Sequence, residues 1–102
     1  MRVISPNALK RFAAVHPSAA RPLATWLQIA EEATWSNLHE LRGDFAHADP
    51  VRVRSGRTVT IFNIGGNKFR MVTAIHYNVR RIFVLRIFTH QEYDRDPWKE
   101  QL

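Results

Sequence analysis

The stretch TVTIFNIGGNKFRMVTAIHY, residues 58–77, decides the fold. Its first seven residues, Thr58–Ile64, are mostly β-branched or aromatic, which favours a strand. Gly65-Gly66-Asn67 is typical of the short turn that joins two antiparallel strands. Residues 68–77 then form the second strand of a hairpin, and the apolar run 81–88 supplies a third after a short turn. The second half of the chain therefore predicts an antiparallel meander.

The first half of the chain has a helical period instead. Ser5-Pro6 and Ser18 are favourable helix starts, and Pro17 disfavours helical backbone at the residue before it. The second helix carries an apolar stripe at helical spacing, Leu23, Trp26, Leu27 and Ala30. A short helix is expected to end at Gly43, and Asp49-Pro50 reads as a turn.

Together these elements predict an α+β domain. We expect a small antiparallel sheet of three to four strands, with Val3-Ile4 as a short extra strand. Two N-terminal helices should pack on one face of the sheet, a short helix should end the chain, and the other face should stay open. The 102 residues, 45% of them hydrophobic, suffice for one core, so residues 1–102 are expected to form a single domain.

Composition excludes several classes of site. The chain has no cysteine, which rules out disulfides, cysteine-based metal sites and cysteine nucleophiles. Its five histidines lack the spacing of a zinc motif, and we expect neither metal nor cofactor. The N-terminus has no apolar core of a signal peptide, and no window approaches the ~18 apolar residues of a membrane span. These features predict a cytoplasmic protein without membrane contact.

The charge pattern predicts an anion-binding surface. The net charge is +6, and the segment between Asp49 and Glu92 contains no acidic residue. The basic residues of that segment are Arg52, Arg54, Arg57, Lys68, Arg70, Arg80, Arg81 and Arg86. Nucleic acid is the commonest partner of such a surface. The alternative is a basic face that is merely solvated.

The stretch THQEYD, residues 89–94, predicts a helix that carries chemistry. Thr89 and Glu92 have the spacing of a capping box, so a helix should begin at His90. His90 and Tyr93 then share one helical face. The positive end of the helix dipole favours a neutral imidazole, which can act as a base. The alternative is that both side chains only pack.

Cationic side chains near this helix complete the candidate site. Lys68 and Arg70 should share one face of the second hairpin strand, where they can bind phosphate and stabilise charge on a transferring phosphoryl group. Arg86 interrupts an apolar run and should bind phosphate or pair with Glu92, Asp94 or Asp96. Arg80 and Arg81 are expected to add general electrostatic attraction for RNA. Asn67 is expected to serve the turn by tolerating positive φ, and to lie beside the RNA.

Such a set suits metal-independent RNA cleavage. The 2′-OH of RNA attacks the neighbouring phosphate, and the protein supplies a base, an acid and positive charge. DNA lacks this hydroxyl and would be spared. We expect His90 as base or acid, Tyr93 as its partner, and Lys68 and Arg70 for the developing charge.

Several motifs resemble the HigB-type toxins of bacterial type II toxin–antitoxin systems, within the RelE-like group. They are Phe62-Asn63-Ile64, Gly66-Asn67-Lys68-Phe69-Arg70, Ile75–Tyr77, and Thr89-His90 with Glu92-Tyr93-Asp94. The resemblance covers nearly the whole chain, although Phe69 stands where the motif more often has tyrosine. It implies a RelE-like fold and the same catalytic residues, carried over by position.

The resemblance also implies an activity and partners. HigB-type toxins are mRNA interferases, which cut mRNA, often on translating ribosomes, and so inhibit translation and growth. A HigA-type antitoxin with a helix-turn-helix domain neutralises the toxin and alone contacts operator DNA. Two alternatives stay open: a module that binds RNA or the ribosome without cutting, and a toxin of the same fold that acts on a protein such as gyrase.

Overall fold

The computed structural model describes all residues, 1–102, as one five-stranded sheet with five helices. The elements are β1 (Arg2–Ile4), α1 (Asn7–Val15), α2 (Ala20–Glu32), α3 (Leu38–Asp44), β2 (Asp49–Arg52), β3 (Thr58–Ile64), β4 (Phe69–His76), β5 (Arg81–Thr89), α4 (His90–Arg95) and α5 (Trp98–Gln101). The predicted α+β class is confirmed.

The strand order across the sheet is β1-β5-β4-β3-β2. Strands β3, β4 and β5 form the predicted antiparallel meander, but β1 runs parallel to β5. The predicted count of three to four strands is too low, because the structure adds β2, in which Asp49 lies opposite Ile61 of β3. The sequence indicated a turn at Asp49-Pro50. The missing N–H of Pro50 is tolerated because β2 is an edge strand.

Helices α1 and α2 cover one face of the sheet, as predicted. Leu23, Trp26 and Ala30 of α2 are buried in one cluster with Phe62 and Met71 of the sheet. The helix starts differ from the expectation, because neither serine caps a helix. Ser5 adopts φ 66°, and a 3-10 turn over Pro17–Ala19 precedes α2. No helix combines the length and the hydropathy that crossing a bilayer would require.

The second face of the sheet is not open, contrary to the prediction. Val59, Ile61 and Val72 on this face form a second buried cluster with Trp98 of α5. Trp98 is only 2% exposed, and its indole Nε1 donates to the carbonyl oxygen of Tyr93 at 3.2 Å. The short C-terminal helices therefore act as a partial second layer, and this layer fixes the backbone of α4.

A bulge in β5 explains how its run of apolar residues, which shows no alternation with polar ones, supplies side chains to both faces of the sheet. Thr73 lies opposite Val84 but Val72 lies opposite Arg86, which leaves Leu85 as an extra residue. As a result Val84 and Ile87 both pack towards the helix layer although they are three residues apart. Leu85 itself packs with the Trp98 cluster. The bulge thus changes which side chains of β5 face the helices.

We expect Trp98→Ala to lower the free energy of unfolding by about 3–5 kcal/mol, because it opens a cavity between α5 and the sheet. Urea unfolding followed by circular dichroism measures this loss. Val79→Ala, at a side chain that is 52% exposed, is the control and should change it by less than about 0.5 kcal/mol. A loss below about 1 kcal/mol for Trp98→Ala would contradict the second layer.

Candidate active site

The β4–β5 hairpin register brings the predicted cationic residues beside the start of α4. Phe69 lies opposite Thr89 at this end of the sheet. The backbone N–H of His90 donates to the carbonyl oxygen of Lys68 at 2.9 Å. Lys68, in the turn before β4, and Arg70, on β4, therefore lie close to His90 at the start of α4, although about twenty residues separate them in the sequence. Their juxtaposition agrees with the expectation; their catalytic roles stay predictions.

The capping box that orients α4 is formed as predicted. The Thr89 N–H donates to Glu92 Oε1 at 2.9 Å, and the Glu92 N–H donates to Thr89 Oγ1 at 3.2 Å. The hydrogen bond from the Thr89 backbone is the main cause that lowers the pKa of Glu92, against a smaller effect of burial. The box fixes His90 as the first helical residue. One turn later, Asp94 Oδ2 lies 3.4 Å from His90 Nε2.

Tyr93, on α4, lies close to both Arg70 and Trp98. The guanidinium carbon of Arg70 is 5.9 Å from the centre of the Tyr93 ring, within the range of a cation–π contact. On another side the Tyr93 and Trp98 rings are 5.2 Å apart. Burial raises the pKa of Tyr93, Asp49 and Asp94 raise it further, and Arg70 lowers it. A tyrosine is ordinarily protonated at neutral pH, and the raised pKa extends the pH range in which this phenol can donate a hydrogen bond.

Asp49 also affects the pKa of Tyr93, and the sequence analysis did not identify it as a site residue. It raises the pKa of Tyr93 through its negative charge, so its carboxylate lies within electrostatic reach of the phenol. Pairing of β2 with β3 places it there, opposite Ile61. The sequence offered one signal, because Asp49 is the last acid before the acid-free segment. Read as part of a turn, it had no assigned place beside the helix.

Several predicted RNA contacts lie elsewhere. Arg81 is the cross-strand partner of His76, at the end of the β4–β5 ladder opposite to Phe69. Seven residue-to-residue steps along β4 join the two ends, a distance of roughly 23 Å. Arg80 precedes Arg81 in a left-handed turn with φ 55°. Arg80 and Arg81 are therefore not part of the site around Tyr93.

Arg86 and the other cations also depart from the expected single basic face. Arg86 makes no ion pair with the acids of α4; its Nη1 donates to the carbonyl oxygen of Leu85 at 2.8 Å. It lines a shallow cavity beside Arg11 of α1. Arg54 pairs with Glu100 at 3.5 Å on the surface. The cations of the acid-free segment are thus spread over several surfaces of the domain.

Asn67 differs from the turn residue that the sequence predicted. The positive φ angles of the hairpin turn fall on Gly65 and Gly66, at 64° and 69°. Asn67 has no such angle, so the turn does not require an asparagine there. Asn67 lines a cavity together with Asn63, the residue opposite Arg70. No three histidine, aspartate or glutamate side chains lie close enough together to hold a metal ion.

Comparison with known proteins places the chain beside a family of bacterial toxins. Residues 19–96 match the model of the HigB toxin family, described as the RelE-like toxic component of a toxin–antitoxin system. The mRNA interferase HigB of Escherichia coli O6:H1 is 30% identical over 95 residues, 93% of this chain and 90% of that protein. The mRNA interferase toxin HigB of Escherichia coli K12 is 26% identical over 94 residues, 92% of this chain and 88% of that protein.

The charges around Tyr93 predict opposite effects of two substitutions on its pKa. Asp49→Asn should lower the pKa of Tyr93, and Arg70→Gln should raise it. Both are measured by the absorbance of tyrosinate in an alkaline titration. All variants are made in a Tyr77→Phe protein, because burial also raises the pKa of Tyr77 and its absorbance change would overlap that of Tyr93. Glu32→Gln, at the end of α2, is the control; shifts of the same sign for both variants would contradict the arrangement.

The same pKa shift sets the sign of an alkaline stability change. A tyrosine that ionises at higher pH in the folded chain stabilises the fold below its unfolded pKa of about 10. That contribution is lost as the pH rises through the folded value. Tyr93→Phe should therefore reduce the steepness of the alkaline loss of stability, as read from urea midpoints between about pH 9 and 11.

Proposed function

Because this chain belongs to the HigB family of RelE-like toxins of toxin–antitoxin systems, we propose that it is an mRNA interferase. It acts in the cytoplasm as a metal-independent endoribonuclease, cuts mRNA on translating ribosomes, and so inhibits translation and growth. One observation carries the proposal: the guanidinium carbon of Arg70 lies 5.9 Å from the centre of the Tyr93 ring, where the backbone N–H of His90 donates to the carbonyl oxygen of Lys68. These are the groups that cleavage by the 2′-OH requires.

The reaction begins when a base removes the proton of the ribose 2′-OH. The 2′ oxygen forms a bond to phosphorus, the bond from phosphorus to the 5′ oxygen of the next nucleotide breaks, and that oxygen takes up a proton from an acid. The products are a 2′,3′-cyclic phosphate and a free 5′-OH. No external cofactor is consumed, because the nucleophile belongs to the RNA.

Each side chain of the site matches one requirement of this reaction. Lys68 and Arg70 stabilise the negative charge that grows on the phosphate oxygens. His90 accepts or donates the proton, and Asp94 at 3.4 Å orients its imidazole. Tyr93 carries its proton at neutral pH, as a tyrosine ordinarily does, and burial raises its pKa further, so it acts as a donor and not as the base.

Family membership also predicts a protein partner. A cognate antitoxin is expected to neutralise the toxin, and we propose a HigA-type antitoxin, whose helix-turn-helix domain alone contacts operator DNA. An acidic segment of the antitoxin would cover Lys68 and Arg70 and exclude the mRNA phosphate. This segment competes with RNA for the same cations.

Alanine substitution tests the catalytic proposal. His90→Ala and Arg70→Ala should each reduce cleavage of a model RNA by about 100-fold or more, since each removes proton transfer or charge stabilisation. Both should also relieve growth arrest on induction. The matched controls are His39→Ala on α3 and Arg81→Ala at the far end of the sheet, which should cleave like the parent.

Primer extension on mRNA after induction gives the decisive readout. New 5′ ends should appear with the parent and the controls, and should be lost with His90→Ala and Arg70→Ala. Growth arrest without new 5′ ends would instead favour a binding module that does not cut. If both variants still arrest growth and cut like the parent, these residues are not the catalytic ones.

Charge removal also tests the mode of neutralisation. Lys68→Ala combined with Arg70→Ala should weaken antitoxin binding at least 10-fold, because two cations opposite an acidic segment are removed. The control is Arg80→Ala with Arg81→Ala, which removes the same charge at the other end of the sheet. Equal affinities for both double variants, measured by calorimetry, would show that the antitoxin binds away from this site.

A further inference from the structure

A cavity of about 540 Å³ lies beside the cationic end of the β3–β4 hairpin. One wall is the loop between α3 and β2, including Phe45, His47 and Ala48; the other is the end of β3 and its turn, including Asn63 and Asn67. We call this cavity the hairpin pocket. Its volume falls within the roughly 300–1,000 Å³ of small-molecule sites.

The loop wall of the hairpin pocket is fixed by specific contacts. Trp35 Nε1 donates to Asp44 Oδ2 at 2.8 Å, and Arg42 Nε donates to the carbonyl oxygen of Ala48 at 3.0 Å. The Phe45 ring packs edge-to-face against Trp35 and Phe62, with centroids 5.8 and 5.1 Å apart. The pocket is therefore formed before any ligand arrives, which lowers the ordering cost of binding.

The pocket adjoins the residues proposed to hold the cleaved phosphate. Asn63 is the cross-strand partner of Arg70, at a Cα separation of about 5 Å for such pairs. Asn67 immediately precedes Lys68. An RNA strand whose phosphate rests on Lys68 and Arg70 thus has a neighbouring nucleotide at the mouth of the pocket.

The chemistry of the lining fits a nucleobase better than a second phosphate. No lysine or arginine lines the pocket, and the acidic residue Asp44 is one of its lining residues. The half-buried ring of Phe45 is the aromatic surface that can accept a flat ring, while Ala48 and Phe62 are buried and support this wall. The amides of Asn63 and Asn67 offer both donors and acceptors to the edge of a base, and the exposed imidazole of His47 offers a stacking surface.

We infer that the hairpin pocket binds one unpaired nucleobase next to the cleaved phosphate and thereby sets a sequence preference of cleavage. This inference rests on the proposed RNA cleavage and adds to it a place where the base is read. His47 and Asn67 are then specificity-determining residues, which act on the choice of the cut site and not on proton transfer.

Genome-wide mapping of new 5′ ends after induction tests the inference. We compare the parent with His47→Ala and Asn67→Ala; the matched controls are His39→Ala on α3 and Asn78→Ala in the turn before β5, both exposed and outside the pocket. The parent should favour one base at a position adjoining the cut. The pocket variants should reduce that preference by about 5- to 100-fold, the usual range for one specific base contact, while still cutting RNA. The controls should keep the parental pattern.

Each contrary result has a distinct meaning. If folded pocket variants keep the parental cut pattern, the inference is overturned. This holds also if those variants bind the antitoxin less tightly, because the pocket would then serve antitoxin binding. Equal loss of cutting at all sites would place the residue in the chemical step and overturns it too. Absence of cleavage by the parent refutes the proposed function itself. Thermal unfolding establishes which variants are folded, and Asn67→Ser and His47→Gln replace any that are not.

Discussion

The candidate site depends on one backbone constraint, the end of the β4–β5 ladder. There the carbonyl oxygen of Lys68 accepts from the N–H of His90, and the capping box of Thr89 and Glu92 turns the strand directly into a helix. A strand that ends in a helix cap places the first helical side chain at a fixed distance from the neighbouring strand. The pairing of groups far apart in sequence is therefore a consequence of register, which a slip of one residue would destroy.

The C-terminal layer converts this constraint into an electrostatic environment. Trp98 is buried against the second face and holds the backbone of Tyr93 by a hydrogen bond. Tyr93 is partly buried against this cluster, and the guanidinium carbon of Arg70 lies 5.9 Å from the centre of its ring. Burial raises the pKa of the phenol, and the neighbouring charges adjust it in opposite directions.

The sequence predicted those parts of the fold that local patterns encode. Strand β3 spans the predicted residues, Thr58–Ile64, and the capping box starts α4 at His90, because both depend on neighbours within a few positions. Strand β2 was missed because four residues with a proline carry no strand signal until β3 is beside them. The bulge at Leu85 was missed for a related reason, since the run 81–88 is apolar at nearly every position and has no period to break.

The basic residues lie on several surfaces of the domain, so they can have two different electrostatic roles, which the net charge alone does not distinguish. At physiological salt the screening length is about 8 Å, whereas Arg81 lies roughly 23 Å along the ladder from Phe69. Arg80 and Arg81 can therefore raise the rate at which a polyanion meets the domain, but they hardly affect a phosphate held at Arg70. In the proposed site the charge acting on such a phosphate would come from Lys68 and Arg70, opposed by Asp49 and Asp94. For this reason the acid-free segment predicts the kind of partner, while the register of the sheet determines which of its cations lie together at the proposed site.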